Sequence, residues 1–352
     1  MAFSAASYAE LSTRYPVSAG EAAYVRAGTR SRVLSAIVGL LVILSGIVSS
    51  AAISIGSTGY IREFVDVPPL LLVSLLVCGL GAIAAWGIME SIIVASLFTL
   101  FETGALLFII VIGIADNPTI IADIPRIFPD VIDSTAWAAI GSAGLLAFFA
   151  FIGFEDMVNL AEEIKDPERV LPRAILLTLV IGTLIYFLLT TVVVLSVPLG
   201  DLAQSEAPLS FVFMHITGAS PFVITLIAIF ATLNGVIIQI IMASRVLFGM
   251  AKQGVAPSVF AGVNSRTQTP VMATVAVSAI ILFLALTTPL EDLAEWTSRV
   301  VLAVFAFINI SLILIKLRRE PSPDSCFKVW IGIPVFGFVM SVALIFGPLF
   351  GT

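Results

Sequence analysis

Charged residues are scarce in this chain. Of its 352 residues, 11% are Asp, Glu, Lys or Arg and 59% are hydrophobic, whereas charged residues make up about a quarter of a typical soluble domain. This composition excludes an ordinary soluble domain and predicts a polytopic membrane protein. The same scarcity leaves no clustered basic patch, so the sequence offers no footprint for nucleic acid.

Cysteine and histidine are almost absent as well. Cys78, Cys326 and His215 are the only three, and two distant cysteines are too few for a disulfide framework or a metal set. No repeated ligand spacing, no phosphate-cradling glycine loop after a strand pattern and no nucleophile/base pair is present. We therefore predict no metal, no cofactor and no enzymatic activity.

The long hydrophobic runs predict an all-α protein with nine full transmembrane helices. A span needs roughly twenty apolar residues, and the joints between the runs are too short to hold soluble domains. The predicted spans cover residues 33–58, 68–87, 91–115, 135–158, 174–197, 222–250, 271–287, 293–315 and 329–349.

Positive charge is distributed unevenly between alternate joints. One side of the predicted membrane has only Arg62 and Arg126, and the other side is predicted to be cytoplasmic because it is rich in Lys and Arg. The basic residues of that side are Arg14, Arg26, Arg30, Arg32, Lys165, Arg169, Arg173, Lys252, Arg266, Lys316, Arg318, Arg319 and Lys328.

Two acids follow directly on an apolar run in residues 148–174, which read FFAFIGFEDMVNLAEEIKDPERVLPRA. An acid at membrane depth is costly, and by default it marks a functional site. The alternative is that Glu155 and Asp156 lie where a helix leaves the membrane and are solvated. The helix-compatible pattern runs from Ser134 to Ile164, which is about ten residues longer than a span needs.

That excess length predicts a helix broken at or just before Gly153. A broken helix leaves backbone groups unpaired, and a membrane protein tolerates them only where protein or a cavity satisfies them. Freed N–H groups attract a carboxylate, while freed carbonyls accept from an ammonium or coordinate a cation. The break is therefore a candidate site for a small zwitterion.

Three stretches resemble the amino acid/polyamine/organocation permeases. They are YAELSTRYPVSAGEAAYVR at 8–26, the 148–174 stretch, and SRVLFGMAKQGVAPSVFAGVNSRTQTP at 244–270. They resemble the end of that family's second helix, its sixth helix with the following loop, and its eighth helix end and loop, in the family's order. The resemblance covers nearly the whole chain and is specific to the family but not to a substrate.

The resemblance implies one transmembrane domain, 1–352, with the LeuT-like inverted-repeat fold. Residues 1–115 would be an incomplete first repeat that begins with a partial helix at the N-terminus. Residues 135–316 would be the second repeat and 329–349 an additional helix. The family's first and last helices, including the glycine-rich turn that holds a substrate carboxylate, have no counterpart in the sequence. This leaves open the alternative of a transport-incompetent fragment or a non-transporting binding or assembly protein.

Substrate-binding residues follow from the same resemblance. Phe149 stands where similar permeases have an aromatic residue that closes over the substrate. For Phe151 and Phe154 a place in the core or against lipid is an open alternative, and Asn234 can instead bridge two helices. The predicted substrate-binding residues are Phe149, Ala150, Phe151, Gly153, Phe154, Glu155 and Asn234.

Glu102 lies mid-span in FTLFETGALL, residues 98–107. A neutral, hydrogen-bonded carboxyl is one interpretation; the other is a coupling group that loads and releases a proton, as desolvation permits. We expect Glu102 and Glu155 to face the protein interior. A gate in which Arg169 or Arg173 pairs with Glu10 or Glu163 is a further possibility.

Taken with the resemblance, these patterns predict a multi-pass plasma-membrane protein. Its expected function is secondary active transport of amino acids or related amines, coupled to protons or working as an exchanger. The expected partners are the small substrate, a proton or other coupling ion, and the lipid bilayer.

Overall fold

The protein is an all-α bundle in this computed structural model, which describes residues 1–17, 20–87, 92–130, 133–323 and 326–346. Within these ranges no strand occurs. The fourteen α-helices of the described part are α1 Ala2–Arg14, α2 Gly20–Thr29, α3 Arg32–Arg62, α4 Pro69–Trp86, α5 Ile92–Asp116, α6 Ile120–Asp123, α7 Ser134–Phe149, α8 Pro167–Ser196, α9 Leu199–Gln204, α10 Pro208–Thr217, α11 Phe222–Lys252, α12 Val271–Thr287, α13 Leu290–Leu317 and α14 Gly332–Phe346. Short 3₁₀ helices cover Ile124–Ile127, Phe154–Glu163 and Ser258–Ala261.

Each of the nine predicted spans falls on a helix or, for 135–158, on a helix and its continuation. In the described part seven segments are long and apolar enough to cross a membrane, and α12 and α14 are shorter apolar helices. Helix α8 shows why burial in lipid is needed: Leu177, Val180 and Leu184 on it are more than half exposed. Such side chains are stable only against an apolar solvent.

Helix α3 lies at the centre of the bundle and joins two hydrophobic cores. Its Val42 packs with residues of α1 and α13 such as Tyr8 and Phe305, while its Ile47 packs with residues of α11 and α12 such as Ile240. Close helix approach rests on small residues, as is usual in membranes. The two cores therefore share one helix.

The two ends of α3 carry different charge networks. At its N-terminal end Arg30 and Arg318 both pair with Glu320, at 3.1 and 2.9 Å. At its C-terminal end Arg62 pairs with Glu206. A helix of 31 residues is about 46 Å long at roughly 1.5 Å per residue. The structure thus places predicted cytoplasmic arginines and Arg62 at opposite ends of one span.

Glu10 is fully buried at the basic end of the bundle. Its carboxylate accepts from Arg14 Nε at 2.9 Å, from Lys316 Nζ at 2.8 Å and from the Val329 N–H at 2.8 Å. The suggested pairing of Glu10 with Arg169 or Arg173 is therefore wrong, because three nearer donors use its oxygens. The side chain of Glu163 lies outside the described residues.

Candidate functional site

The predicted helix break near Gly153 is confirmed. Helix α7 ends at Phe149, residues 150–153 form turns, and a 3₁₀ helix begins at Phe154. Gly153 has φ +125°, a left-handed conformation that glycine adopts readily and other residues rarely. The chain therefore leaves helical geometry where the sequence pattern predicts it.

Glu155 satisfies one of the backbone groups freed by the break. Its Oε2 accepts from the Gly153 N–H at 2.9 Å, and the residue is 7% exposed. The expectation that Glu155 faces the interior is confirmed. Because the Glu155 side chain already accepts from this N–H, the N–H is not free for a substrate carboxylate, and the turn presents an acidic side chain instead.

The carbonyls of the turn are free of backbone partners. Phe151 and Ile152 donate back to Phe148 and Phe149, at 3.0 and 3.2 Å. No backbone N–H of the described residues donates to the carbonyl of Ala150, Phe151 or Ile152. These three oxygens can accept from an ammonium group or water.

The side chains of Phe151 and Phe154, on either side of Gly153, pack in different directions. Phe154 is buried between Tyr8 and Phe305, with ring centroids 5.8 and 5.5 Å away. Phe151 meets Tyr186 edge-on at 5.2 Å. This packing favours the core role for Phe154 that the sequence left open. Ala150, which precedes Phe151, is exposed.

 Phe149 lines a cavity with a volume of about 660 Å³. The Phe149 cavity is also lined by Ile53, Gly56 and Tyr60 of α3 and by Thr232 of α11. Phe149 therefore lies where the break, α3 and α11 meet around an open space.

Charged side chains line the same cavity. Arg62, Glu206 and Glu291 contribute to its wall, and Arg62 is paired with Glu206. A methyl group at Gly59 would overlap the backbone carbonyl of Glu206, so only glycine allows the chain between α9 and α10 to approach α3 this closely. The short α9–α10 segment is thus held against the cavity wall.

Glu102 lies on α5 beside a smaller cavity of about 120 Å³. Tyr60 and Thr232 line both this cavity and the larger one. The expectation that Glu102 faces the interior is wrong, because the residue is exposed. The reason is that α5 packs on few neighbours, chiefly α8 and α11, which leaves much of its circumference uncovered.

The buried amides behave in two ways. Gln239 on α11 donates to Asp156 Oδ2 at 3.0 Å, and Asn309 on α13 donates to the Ser4 hydroxyl at 2.9 Å, so both bridge elements. Asn234 differs, since its Oδ1 is shielded from solvent and has no partner among the described residues. Of the predicted polar residues, Asn234 has the free acceptor that a ligand could use.

Glu21 was missed by the sequence reasoning, although it lies inside a stretch that carries the family resemblance. It is 2% exposed and interacts electrostatically with Asp156. The available signal was an acid between Gly20 and the apolar residues Ala22 and Ala23. Nothing local to α2 shows that its partner is Asp156, which is far along the chain.

An all-α bundle with a helix broken beside a mostly apolar cavity is typical of membrane permeases with discontinuous helices. The family model described as amino acid permease matches residues 1–352. The chain belongs to this family, within the amino acid/polyamine/organocation superfamily. The similar curated proteins bear the names of transporters, not of enzymes.

Three relatives show the range of these similarities. The branched-chain amino acid permease BcaP of Bacillus subtilis is 26% identical over 95% of this chain and 74% of its own length. The vacuolar cationic amino acid transporter 4 of Arabidopsis thaliana is 30% identical over 92% of this chain and 56% of its own length. The mitochondrial cationic amino acid transporter 3 of the same plant is 29% identical over 91% and 55%. The chain thus spans little more than half the length of the plant relatives.

Proposed function

We propose that the protein is a secondary active transporter of amino acids or related amines, with its substrate bound between the 150–153 turn and the Phe149 cavity. The observation that carries the proposal is the break itself. It brings three features into one short segment: Gly153 in a left-handed conformation, the Glu155 side chain that accepts from the Gly153 N–H, and three carbonyls without backbone partners. The carbonyls and the Glu155 side chain are acceptors that suit the ammonium group of an amino acid or amine.

The size of the cavity supports this substrate class. A volume of about 660 Å³ lies within the roughly 300–1,000 Å³ of small-molecule pockets. Its wall is mostly apolar, with few polar groups such as Tyr60 and Thr232. That balance suits a molecule with a charged backbone and a variable side chain.

We assign separate roles to the predicted residues. Phe149 acts as the aromatic residue that closes over the substrate, and Asn234 offers a buried acceptor. Ala150, Phe151 and Gly153 contribute backbone, and Phe154 supports the turn from the core. Glu155 places an acidic group at the turn and is held there by the hydrogen bond that it accepts from the Gly153 N–H.

In this proposal, coupling to protons supplies the free energy for transport. Glu102 and Glu155 are the candidate coupling groups. Glu102 lines the smaller cavity, which shares Tyr60 and Thr232 with the cavity beside Phe149. Alternating access would then be a rocking of one set of helices against another. The plasma membrane is the proposed location, while relatives carry vacuolar and mitochondrial names. Family membership favours transport over the non-transporting alternative.

The proposal is tested by uptake of a radiolabelled amino acid panel into proteoliposomes, with and without a proton gradient. We expect saturable uptake of at least one amino acid. Phe149→Ala should lower uptake at least tenfold, equivalent to about 1.4 kcal/mol of lost interaction. Phe187→Ala on the exposed side of α8 is the matched control and should leave uptake within about twofold.

Absence of uptake across the panel, with folded protein shown by a monodisperse elution profile, would refute the transport proposal. Equal losses in Phe149→Ala and Phe187→Ala would refute the role of Phe149 alone. Uptake that ignores the proton gradient but depends on counter-substrate would assign exchange instead of proton coupling.

A further inference from the structure

Three acids meet where α2 packs against the 3₁₀ helix Phe154–Glu163. Glu21 and Glu155 are 2% and 7% exposed, and Asp156 is partly buried. Asp156 acts electrostatically on both of the others. The cluster therefore gathers up to three negative charges away from solvent, which is unfavourable unless something neutralises them.

The neighbours of the cluster supply dipoles but no cation. Gln239 donates to Asp156 at 3.0 Å, and Gly153 donates its N–H to Glu155 at 2.9 Å. None of the ion pairs in the described part of the chain includes Glu21, Glu155 or Asp156. The arginines of α8, which also packs against the 3₁₀ helix, are exposed.

Two tyrosine hydroxyls provide a second and independent observation. Tyr8 and Tyr24 are both fully buried, and neither hydroxyl has a hydrogen-bond partner within the described residues. Tyr8 lies in the electrostatic field of Glu21, Glu155 and Asp156, and Tyr24 in that of Glu21. A buried hydroxyl without a partner is costly, so these donors point to a site that is incomplete.

The chemistry of the cluster favours a proton over a metal ion. Among the described residues no group of three His, Cys, Asp or Glu side chains is placed to hold a metal. Burial is the largest cause that raises the pKa of Glu21 to about 8, and the charge of Asp156 adds to it. Helix α2 is not one of the membrane-spanning segments of the described chain, and it ends beside Arg30 at the basic end of the bundle.

We propose that Glu21 and Asp156 form a shared proton-binding site, completed by the Tyr8 and Tyr24 hydroxyls, at the junction of α2 and the broken helix. The site deepens the proposed function, because it adds a proton site separate from Glu102. Loss of the proton to water leaves two carboxylates facing each other across this junction. Their repulsion weakens the docking of α2 on the half-helix that borders the substrate site.

Infrared difference spectroscopy on the whole protein in lipid tests proton binding without requiring transport. The C=O stretching band of a protonated carboxyl group should persist at neutral pH and disappear as the pH rises through about 8. Glu21→Gln and Asp156→Asn should each remove this component or shift its midpoint by at least one pH unit, about tenfold in proton affinity. Glu295→Gln, at a half-exposed ion pair, is the control and should leave it unchanged.

Thermal unfolding gives a second readout of the same site. An acid whose pKa is raised by folding is penalised once it ionises, so the melting temperature should fall as pH rises from about 4.5 to about 8. Glu21→Gln should flatten this fall, whereas Glu295→Gln should keep it.

Several outcomes would overturn the proposal. The wild-type protein could lack a protonated carboxyl band at neutral pH, which decides the matter even if the variants fail to fold. The band could survive unchanged in both Glu21→Gln and Asp156→Asn. Sodium or potassium at constant pH could abolish the band, which would identify a cation site instead. Failure of transport with an intact band would refute the proposed function but not this site.

Discussion

Glu10 shows how a buried charge is compensated in this protein. Its carboxylate is fully buried and holds Arg14 from its own helix, Lys316 from α13 and the backbone of Val329. A buried ion network adds little over an apolar one, but removal of one member leaves the others uncompensated. The residue therefore links α1, α13 and the segment before α14.

Substitution of Glu10 should accordingly be severe. We expect Glu10→Ala to destabilise the protein by about 3–5 kcal/mol, because Arg14 and Lys316 lose their shared partner. Glu295→Ala removes the partner of a half-exposed arginine and should cost about 1 kcal/mol or less. Thermal unfolding in detergent compares the two variants, and similar melting temperatures would contradict the role assigned to Glu10.

The broken helix shows how one residue changes an element. Gly153 has φ +125°, and a methyl group there would meet nothing within 4 Å. Conformation alone, not crowding, therefore requires glycine at this position. Gly153 lies four residues, about one turn, after α7 ends at Phe149.

Gly153→Ala tests this backbone argument. We expect a loss of about 1–3 kcal/mol of stability, the cost of holding alanine in a rare conformation. Gly182→Ala inside α8, where space is also open, should instead stabilise the helix by about 0.4–1 kcal/mol. Equal stability of Gly153→Ala and the unchanged protein would contradict the conformation assigned to the break.

At the scale of the whole molecule, charge sets the orientation in the membrane. Arg14, Arg30, Lys316 and Arg318 lie in one connected region through Glu10 and Glu320. Arg62 lies at the other end of α3 with Glu206. The structure therefore confirms that these basic residues are separated by the length of a span, and the positive-inside rule assigns the richer end to the cytoplasm.

Cysteine accessibility tests that orientation. In a Cys78→Ala, Cys326→Ser background, Asp201→Cys should react with a membrane-impermeant maleimide added to intact cells. Lys165→Cys should react only after the membrane is opened, because it lies on the positively charged side. Both residues are exposed, so access through the membrane is the only difference. The reverse pattern would refute the orientation.

Much of the fold and part of the candidate site could be read from the sequence. The spans and the break near Gly153 depend on local apolar runs, excess length and one glycine, and all of these are visible within about thirty residues. The buried position of Glu155 follows from the same stretch. The family resemblance supplied Phe149 as a cavity residue without any local signal of its own.

What the sequence by itself determined is the set of helices, their interruption and the sidedness of charge, because hydrophobic burial and backbone conformation act over short stretches. Tertiary structure alone decided which charges meet. It exposed Glu102 on a sparsely packed helix, placed Phe154 in the core, joined Glu10 to Lys316 across 306 positions, and brought Glu21 to Asp156. Such pairings depend on how helices pack against one another, and packing partners distant in the chain leave no pattern in either local sequence.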